Sequence, residues 1–480
     1  MPRRLTYWAV LCLLLVPQGA RAGGFVVARF GGEHGHAASD HPTAIYYNPA
    51  GLALGSGWRI YAEGVFGLRN LSYDRPAEAI GKVVEPGDNE AGTPRDAIGA
   101  NSGEATLTNF LASPFLGAVT DFGIPNLAVG VAAYVPFGGQ ASWDKNDDFE
   151  GNTAYPGAED GVQRWSTIKG SLRSLYVTLA GAYRLPGPRL SFGVGLNAIS
   201  SSIDTIRART AAGSDDLVGP DGRLLEGRSL IETSSFDFSA SVGVTWQPID
   251  QLTVGLSYQA QPGFGKTTQS GTLTNKLGLA DVSVGDIDLE QELPDIYRVA
   301  VRYQATPKVE LRLSGDVQRW SVFKNQCLLD ANDASADCDL TADGGPGADA
   351  SGVVVNIPRR WDNTFGVRMG LSYWFSPEFE LNGGAVFETS AVPDETVDAA
   401  LIDMNKVIAL AGVRYAVMSG KLLLGLTLNN VFYFDRTVAP RERDADGNQQ
   451  GPRAPSAIPD GAGTYKQNIF FVNAGGEYRF

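Results

Sequence analysis

The stretch FDFSASVGVTW, residues 236–246, puts Phe236, Phe238, Ala240, Val242, Val244 and Trp246 on one side of an extended chain. Asp237, Ser239, Ser241, Gly243 and Thr245 fall on the other. Strict period-two alternation of this kind is the mark of a strand with one apolar and one polar face. After the turn QPIDQ the run LTVGLSY, 252–258, repeats the pattern, so the two runs form a hairpin. Similar pairs of runs flank IPN at 124–126, PGP at 186–188, ATPK at 305–308, SPE at 376–378 and MSGK at 418–421. Short turns rich in Pro, Gly and Asn suit such joints. Single strands at 58–70 and 468–480 bring the expected total to 14.

The remaining connections, 74–104, 138–170, 210–228, 260–290, 324–360, 390–405 and 437–463, are long and polar. Sorting of connections into one short and one long set, with an even strand number, is how outer-membrane barrels are built. Hydrocarbon offers backbone groups no partners, and a closed sheet satisfies them all without an edge. The expected fold is therefore all-β: a 14-stranded antiparallel transmembrane β-barrel with both termini periplasmic. Aromatic residues near strand ends (Trp246, Tyr258, Tyr303, Trp320, Trp361, Tyr373, Trp374) read as interface girdles. A soluble all-β array is the alternative.

Residues 1–22 read as a signal peptide: Arg3 and Arg4, an apolar stretch too short to span a bilayer, and the small-residue end ARA. Without Arg3, Arg4 and Arg21 the formal charge moves from −14 to −17. A chain this acidic with no basic stripe is not expected to bind nucleic acid. Cys327 and Cys338 fall in one polar loop of an exported chain and are expected to form a local disulfide. That loop also carries Asp330, Asp333, Asp337 and Asp339, but without EF-hand spacing it reads as a solvated external loop.

Residues 23–57, before the first strand, are small, glycine-rich and free of alternation. A barrel of 14 strands conducts water unless something fills it, so this segment is expected to plug the lumen, with residues 58–480 as the barrel. It holds all three histidines, His34, His36 and His41. Their spacing is weak for a metal, so neither a metal nor another cofactor is expected. With every histidine in the plug, no Ser-His pair is available on the wall, which argues against an enzyme.

Within the segment, ASDHPTAIYYNPAGLA, 38–53, resembles the N-terminal signature of the FadL family of outer-membrane transporters for long-chain fatty acids and other hydrophobic compounds. The matching residues are Asp40, Asn48, Pro49 and Ala50. The block 359–406, with Trp361, Asp362 and Thr364 opening a strand and hairpin, is similar to a second stretch of that family. LIDMNK, 401–406, departs from it, with Ile402 where proline is more usual. The resemblance implies a plug called the hatch, a kinked third strand, and passive, ligand-gated uptake with lateral release through the barrel wall. Gly130, Pro136, Gly138 and Gly139 are residues on that strand that could interrupt a ladder.

It further implies hydrophobic ligand contacts near the mature N-terminus, for which Phe25, Val27 and Phe30 are candidates; plain plug packing is the other reading of these three. A carboxylate ligand would want a lumen cation, and Arg59, Arg298, Arg302, Arg312 and Arg368 all lie on polar strand faces. Each could instead pair with a lumen acid such as Glu63, Glu310 or Asp316. The expected partners are a hydrophobic small molecule, membrane lipid and lipopolysaccharide. The expected site of action is the outer membrane of a Gram-negative bacterium, as a monomer. A nonspecific porin and an adhesin or structural barrel are the rival functions.

Overall fold

Fourteen strands close into one barrel in the computed structural model, which describes residues 29–480 except 86 and 446. The signal peptide, Phe25 and Val27 lie outside the described residues. In chain order the strands are β1 (Arg59–Arg75), β2 (Gly103–Thr120), β3 (Leu127–Ser142), β4 (Lys169–Leu185), β5 (Leu190–Arg209) and β6 (Gly227–Ile249). β7 runs Leu252–Gln259 and resumes as Lys266–Lys276, and β8 runs Ser283–Glu292 and resumes as Ile296–Thr306. β9 (Val309–Gln318, then Asn325–Asp330) and β10 (Val353–Pro358, then Thr364–Ser376) are interrupted in the same way. β11 (Phe379–Glu388), β12 (Lys406–Val417), β13 (Leu422–Tyr433) and β14 (Gly463–Arg479) complete the wall.

Each strand pairs antiparallel with its chain neighbours. β14 closes on β1 over a continuous register from Arg59↔Arg479 to Asp74↔Thr464. Alternation fixes which side faces out: Phe110, Leu196, Phe236 and Met369 are each more than 60% exposed on the outer surface, where lipid takes the place of water. Arg59, Glu63, Arg69 and Arg75 share the inner face of β1.

Two expectations need correction. The connections 260–290 and 324–360 are not loops throughout, because β7–β8 and β9–β10 continue through much of them. Beyond the hydrocarbon the outer face needs no apolar residues, so KTTQSGTLTNK loses its outer hydrophobic signal while Leu273, Ile287, Leu289 and Leu328 still pack inside. Trp320 and Trp361 are not girdle residues. A 3₁₀ turn at Trp320–Val322 and the interruption of β10 at 359–363 break strand parity and leave them inward, 3% and 4% exposed, in a cluster with Phe323. The disulfide Cys327–Cys338 is present, but Cys327 lies on the outer part of β9 and only Cys338 in the loop that follows.

Candidate functional site

Residues 29–57 fill the lumen with a short helix, α1 (Ala44–Tyr47), and 3₁₀ turns at Gly32–His34 and Pro49–Leu54. Asn48 organises this plug. Its Nδ2 donates to the carbonyls of Ala37 (2.7 Å) and of Val244 on β6 (3.1 Å), and its Oδ1 accepts from the Ala50 amide. Pro49, with its fixed torsion and no N–H, starts the following turn. The plug can sit this close because the wall presents glycine. A Cβ at Gly243 would lie 1.8 Å from Asn48 Oδ1, one at Gly193 2.2 Å from the Ala50 nitrogen, and one at Gly255 1.9 Å from the Ala37 oxygen.

The five arginines proposed for a headgroup are all engaged with the plug or the wall. Arg59 donates to the Asp40 carbonyl at 2.5 Å, and Arg302 pairs with the Asp40 carboxylate at 2.6 Å. Arg298 lies over the Tyr46 ring and donates to Gln259. Arg312 pairs with Glu310 and donates to Ser372. Arg368 makes two hydrogen bonds to Glu33 Oε1, at 2.8 and 3.1 Å, and reaches the Gly32 and Gly35 carbonyls. Phe30 is fully buried against Tyr46, Phe115 and Tyr134.

The histidines are buried parts of the plug. His34 Nε2 hydrogen-bonds Glu380 at 2.8 Å, and His41 packs edge-on against Tyr61 with Nδ1 on Thr43. Among the described residues no group of three His, Cys, Asp or Glu is placed to hold a metal ion. Burial drives the His41 ring down to about 3 and holds His34 and His36 well below the ordinary histidine value. Free in solution such rings take a proton near pH 6.5. Plug docking therefore has its full strength above that pH and weakens as pH falls from 6.5 towards 3. His41 alone accounts for about 2–3 kcal/mol between pH 6.5 and 4.5. Hydrogen exchange at residues 29–57, corrected for intrinsic rates, is expected to lose protection at pH 4.5 while the strands keep theirs. Equal protection at both pH values would refute this.

Above the plug lies a chamber with about 1340 Å³ of empty space, part of it open solvent, lined in part by Val65, Leu111, Ile408, Val431, Phe471 and Trp361. Its polar edge carries Arg29 paired with Glu388, Lys406 bonded to Asp403 at 2.8 Å, and Arg69. Arg69 is 2% exposed and donates Nε to Gln467 at 2.8 Å; it forms no ion pair with a carboxylate among the described residues. Sequence reasoning missed it, although its even spacing from Arg59 in one strand places both on the lumen face.

The same chamber reaches a defect in the wall. The β2–β3 ladder runs from Thr120↔Val129 to Phe115↔Tyr134 and stops, leaving 103–114 of β2 without a ladder to β3. On its other side β3 slips register against β4 between Tyr134 and Phe137. Pro136 sits in the slip, having no N–H to donate, and Tyr134–Gly139 are all buried, so alternation fails there. Gly130 stays in the ladder, opposite Val119. Across the break β2 and β3 are bridged by side chains, Ser113 Oγ to the Val135 carbonyl (2.9 Å) and Asn109 Nδ2 to the Gln140 carbonyl (2.8 Å), and the chains rejoin just past β3, where the Asp144 amide donates to the Thr106 carbonyl at 2.9 Å. Ala112, Ser113, Val135 and Gly138 all line the chamber.

A closed barrel with a plugged lumen and a chamber that ends at a breach in the wall defines an outer-membrane channel, and no helix among the described residues is long and apolar enough to cross a membrane. Residues 14–454 match the family described as outer membrane protein transport protein (OMPP1/FadL/TodX). The chain belongs to that family of outer-membrane transporters of hydrophobic compounds, and is a transporter and not an enzyme.

Solved structures agree on the fold. A Pseudomonas aeruginosa FadL homologue is similar at 15% identity and TM-score 0.71, over 96% of this chain and all of that one. The Ralstonia pickettii toluene transporter TbuX is similar at 16% identity and TM-score 0.59, over 95% and 98%. The Pseudomonas putida toluene transporter TodX is similar at 14% identity and TM-score 0.61, over 96% and 99%. No curated protein matches the sequence.

Proposed function

We propose that the protein takes up long-chain fatty acids or similar hydrophobic compounds passively, releasing them sideways through the β2–β3 break into the bilayer. The observation that carries this reading is the coincidence of chamber and break at Ala112, Ser113, Val135 and Gly138. Energetics favour the same route. Each buried methylene is worth about 0.8 kcal/mol, so a chain of ~14 would give up roughly 11 kcal/mol in a water-filled pore. A passage from apolar chamber to hydrocarbon avoids that loss. In this reading residues 23–57 act as the hatch, 58–480 as the barrel, and the molecule works as a monomer in contact with lipid and lipopolysaccharide.

Toluene transport, as in TbuX and TodX, is the second reading. Arg69 favours an acid: a cation on the chamber wall with no carboxylate of its own suits a ligand with an anionic end. The test is mass spectrometry of small molecules extracted from the detergent-purified protein, followed by competition. Recovery of fatty acids, displaced by added carboxylate and not by toluene, is expected. An empty barrel with high ion conductance would favour a porin, and displacement by toluene alone would favour the aromatic reading.

A further inference from the structure

Where β9 and β10 are interrupted, at 319–324 and 359–363, the wall carries a niche with about 940 Å³ of empty space, part of it open solvent. It is closed on one side by the loop that follows Cys338, and Lys324, Asn325, Ala342, Asn356 and Arg360 line it. The niche is on the outer face: Val355 and Leu328 pack inside the barrel, so by alternation Asn356 and its partner Cys327 point out. Backbone bonds set two cations side by side, since the Arg359 and Arg360 amides both donate to the Lys324 carbonyl, at 2.7 and 2.9 Å. Arg360 takes a left-handed backbone, φ 49°, which a residue with a Cβ adopts only at a cost. Its Nη2 donates to the Ala342 carbonyl at 2.6 Å, which holds it against the loop. Neither Lys324 nor Arg360 forms an ion pair with a carboxylate among the described residues. Asp343 of the same loop faces Arg453, and Asp362 does not line the niche. Asn356 is 1% exposed; its Nδ2 donates to Ser456 at 2.7 Å, and its Oδ1 is buried without a hydrogen-bond partner.

The height of this niche tells what reaches it. Phe365, Val367 and Met369 form the outward column of β10, each more than half exposed, with Leu313 of β9 opposite Met369. Phe365 is the last apolar side chain of that column towards the long connections, and the niche opens beyond it, where hydrocarbon gives way to lipid heads. A guanidinium and an ammonium together suit a phosphate, which takes charge-assisted hydrogen bonds from both, and basic pockets at this depth are how lipid heads are held. We infer that the niche binds the phosphorylated sugar head of an outer-leaflet glycolipid of the lipopolysaccharide type. Its phosphate lies on Lys324 and Arg360, a sugar hydroxyl donates to Asn356 Oδ1, and its acyl chains run down the Phe365–Val367–Met369 column. The inference rests on the lipopolysaccharide contact proposed above and gives it a place; the uptake route has no part in it.

The test is native mass spectrometry of the full protein in detergent, titrated with bisphosphorylated lipid A, with dephosphorylated lipid A and with inorganic phosphate. Wild type is compared with K324A/R360A, with A342W, and with K169A/R173A, which removes two exposed cations from β4. Each is checked for the heat-modifiable mobility of a folded barrel. K324A/R360A is expected to weaken lipid A binding by about tenfold or more, the range of hydrogen bonds to a charged group. A342W, which fills the niche and keeps both cations, is expected to do the same, and K169A/R173A to match wild type. Dephosphorylated lipid A is expected to bind wild type as weakly as lipid A binds K324A/R360A. An equal loss in K169A/R173A would assign the binding to diffuse surface charge and overturn the site. Inorganic phosphate bound as tightly as lipid A would make this a free-ion site and overturn the lipid assignment. Lipid A binding that ignores both niche variants overturns the site and leaves the general lipopolysaccharide contact standing, whereas a wild type that binds no lipid A removes both. Fatty acid uptake by K324A/R360A is expected to equal that of wild type.

Discussion

Ser113→Trp is expected to reduce uptake of a labelled fatty acid by cells or proteoliposomes at least tenfold, with the barrel still folded and ligand still bound. Ser113 stands on the inner face of β2 where the ladder to β3 has ended, and its Oγ is one of two side-chain bridges across the break. An indole there adds bulk where the chamber narrows to the space between Ser113 and Val135, which is the proposed doorway. The physical basis is asymmetric. Nothing in the chamber depends on a serine at this position, but apolar volume in the doorway blocks a chain several methylenes long and thus raises the barrier to release. Asn109→Ala removes the other bridge without adding volume, and its expected effect is unchanged or faster uptake. Ser113→Trp with wild-type uptake would mean the ligand leaves elsewhere.

Glu33→Ala or Gly370→Val is expected to turn a poorly conducting barrel into a leaky one. Glu33 is 1% exposed and carries a doubled link from the plug to the wall: two hydrogen bonds from Arg368, with Arg312 3.7 Å from its other oxygen. The wall makes room for this carboxylate with two glycines, since a Cβ at Gly370 would lie 1.8 Å from Oε2 and one at Gly384 2.6 Å from Oε1. Removing the acid leaves the buried Arg368 guanidinium with no ion-pair partner among the described residues, a loss of about 3–5 kcal/mol; adding a Cβ at 370 evicts the acid from its seat. A change of about 3 kcal/mol multiplies an undocked population more than about a hundredfold. Planar-bilayer recordings should show frequent channel openings for either variant, and cells should become permeable to hydrophilic antibiotics. Quiet recordings from both would show that Glu33 does not hold the plug.

The barrel was readable because hydrocarbon forces strict alternation, and every one of the six expected hairpins is found with its turn. What blurred the reading was the change of solvent along a strand. In Lys266–Lys276 and Ser283–Glu292 water replaces lipid outside, only the inward residues stay apolar, and the segment looks like a loop. The motif Asn48-Pro49-Ala50 located the plug, but its docking surface, Gly193, Gly243 and Gly255, lies about 140 to 220 residues further along the chain and has no local signature. The arginines were legible as lumen-facing; which of them meets a carboxylate was not. Arg29 finds Glu388, and Arg368 finds Glu33, across more than 300 residues, whereas Arg69 forms no ion pair among the described residues. Pairing of this kind is decided by closure of the barrel and not by neighbours in sequence.

The length of β6 sets where the cell first meets its cargo. At 23 residues it traces about 75 Å, or about 60 Å of height at a typical barrel tilt, against a lipid-facing band of about 25 Å. The surplus raises the wall as a rigid chimney above the lipid-facing band. A mouth raised in this way meets its cargo well before the cargo reaches the bilayer. The same prominence makes the rim the part that phage and antibodies would encounter first.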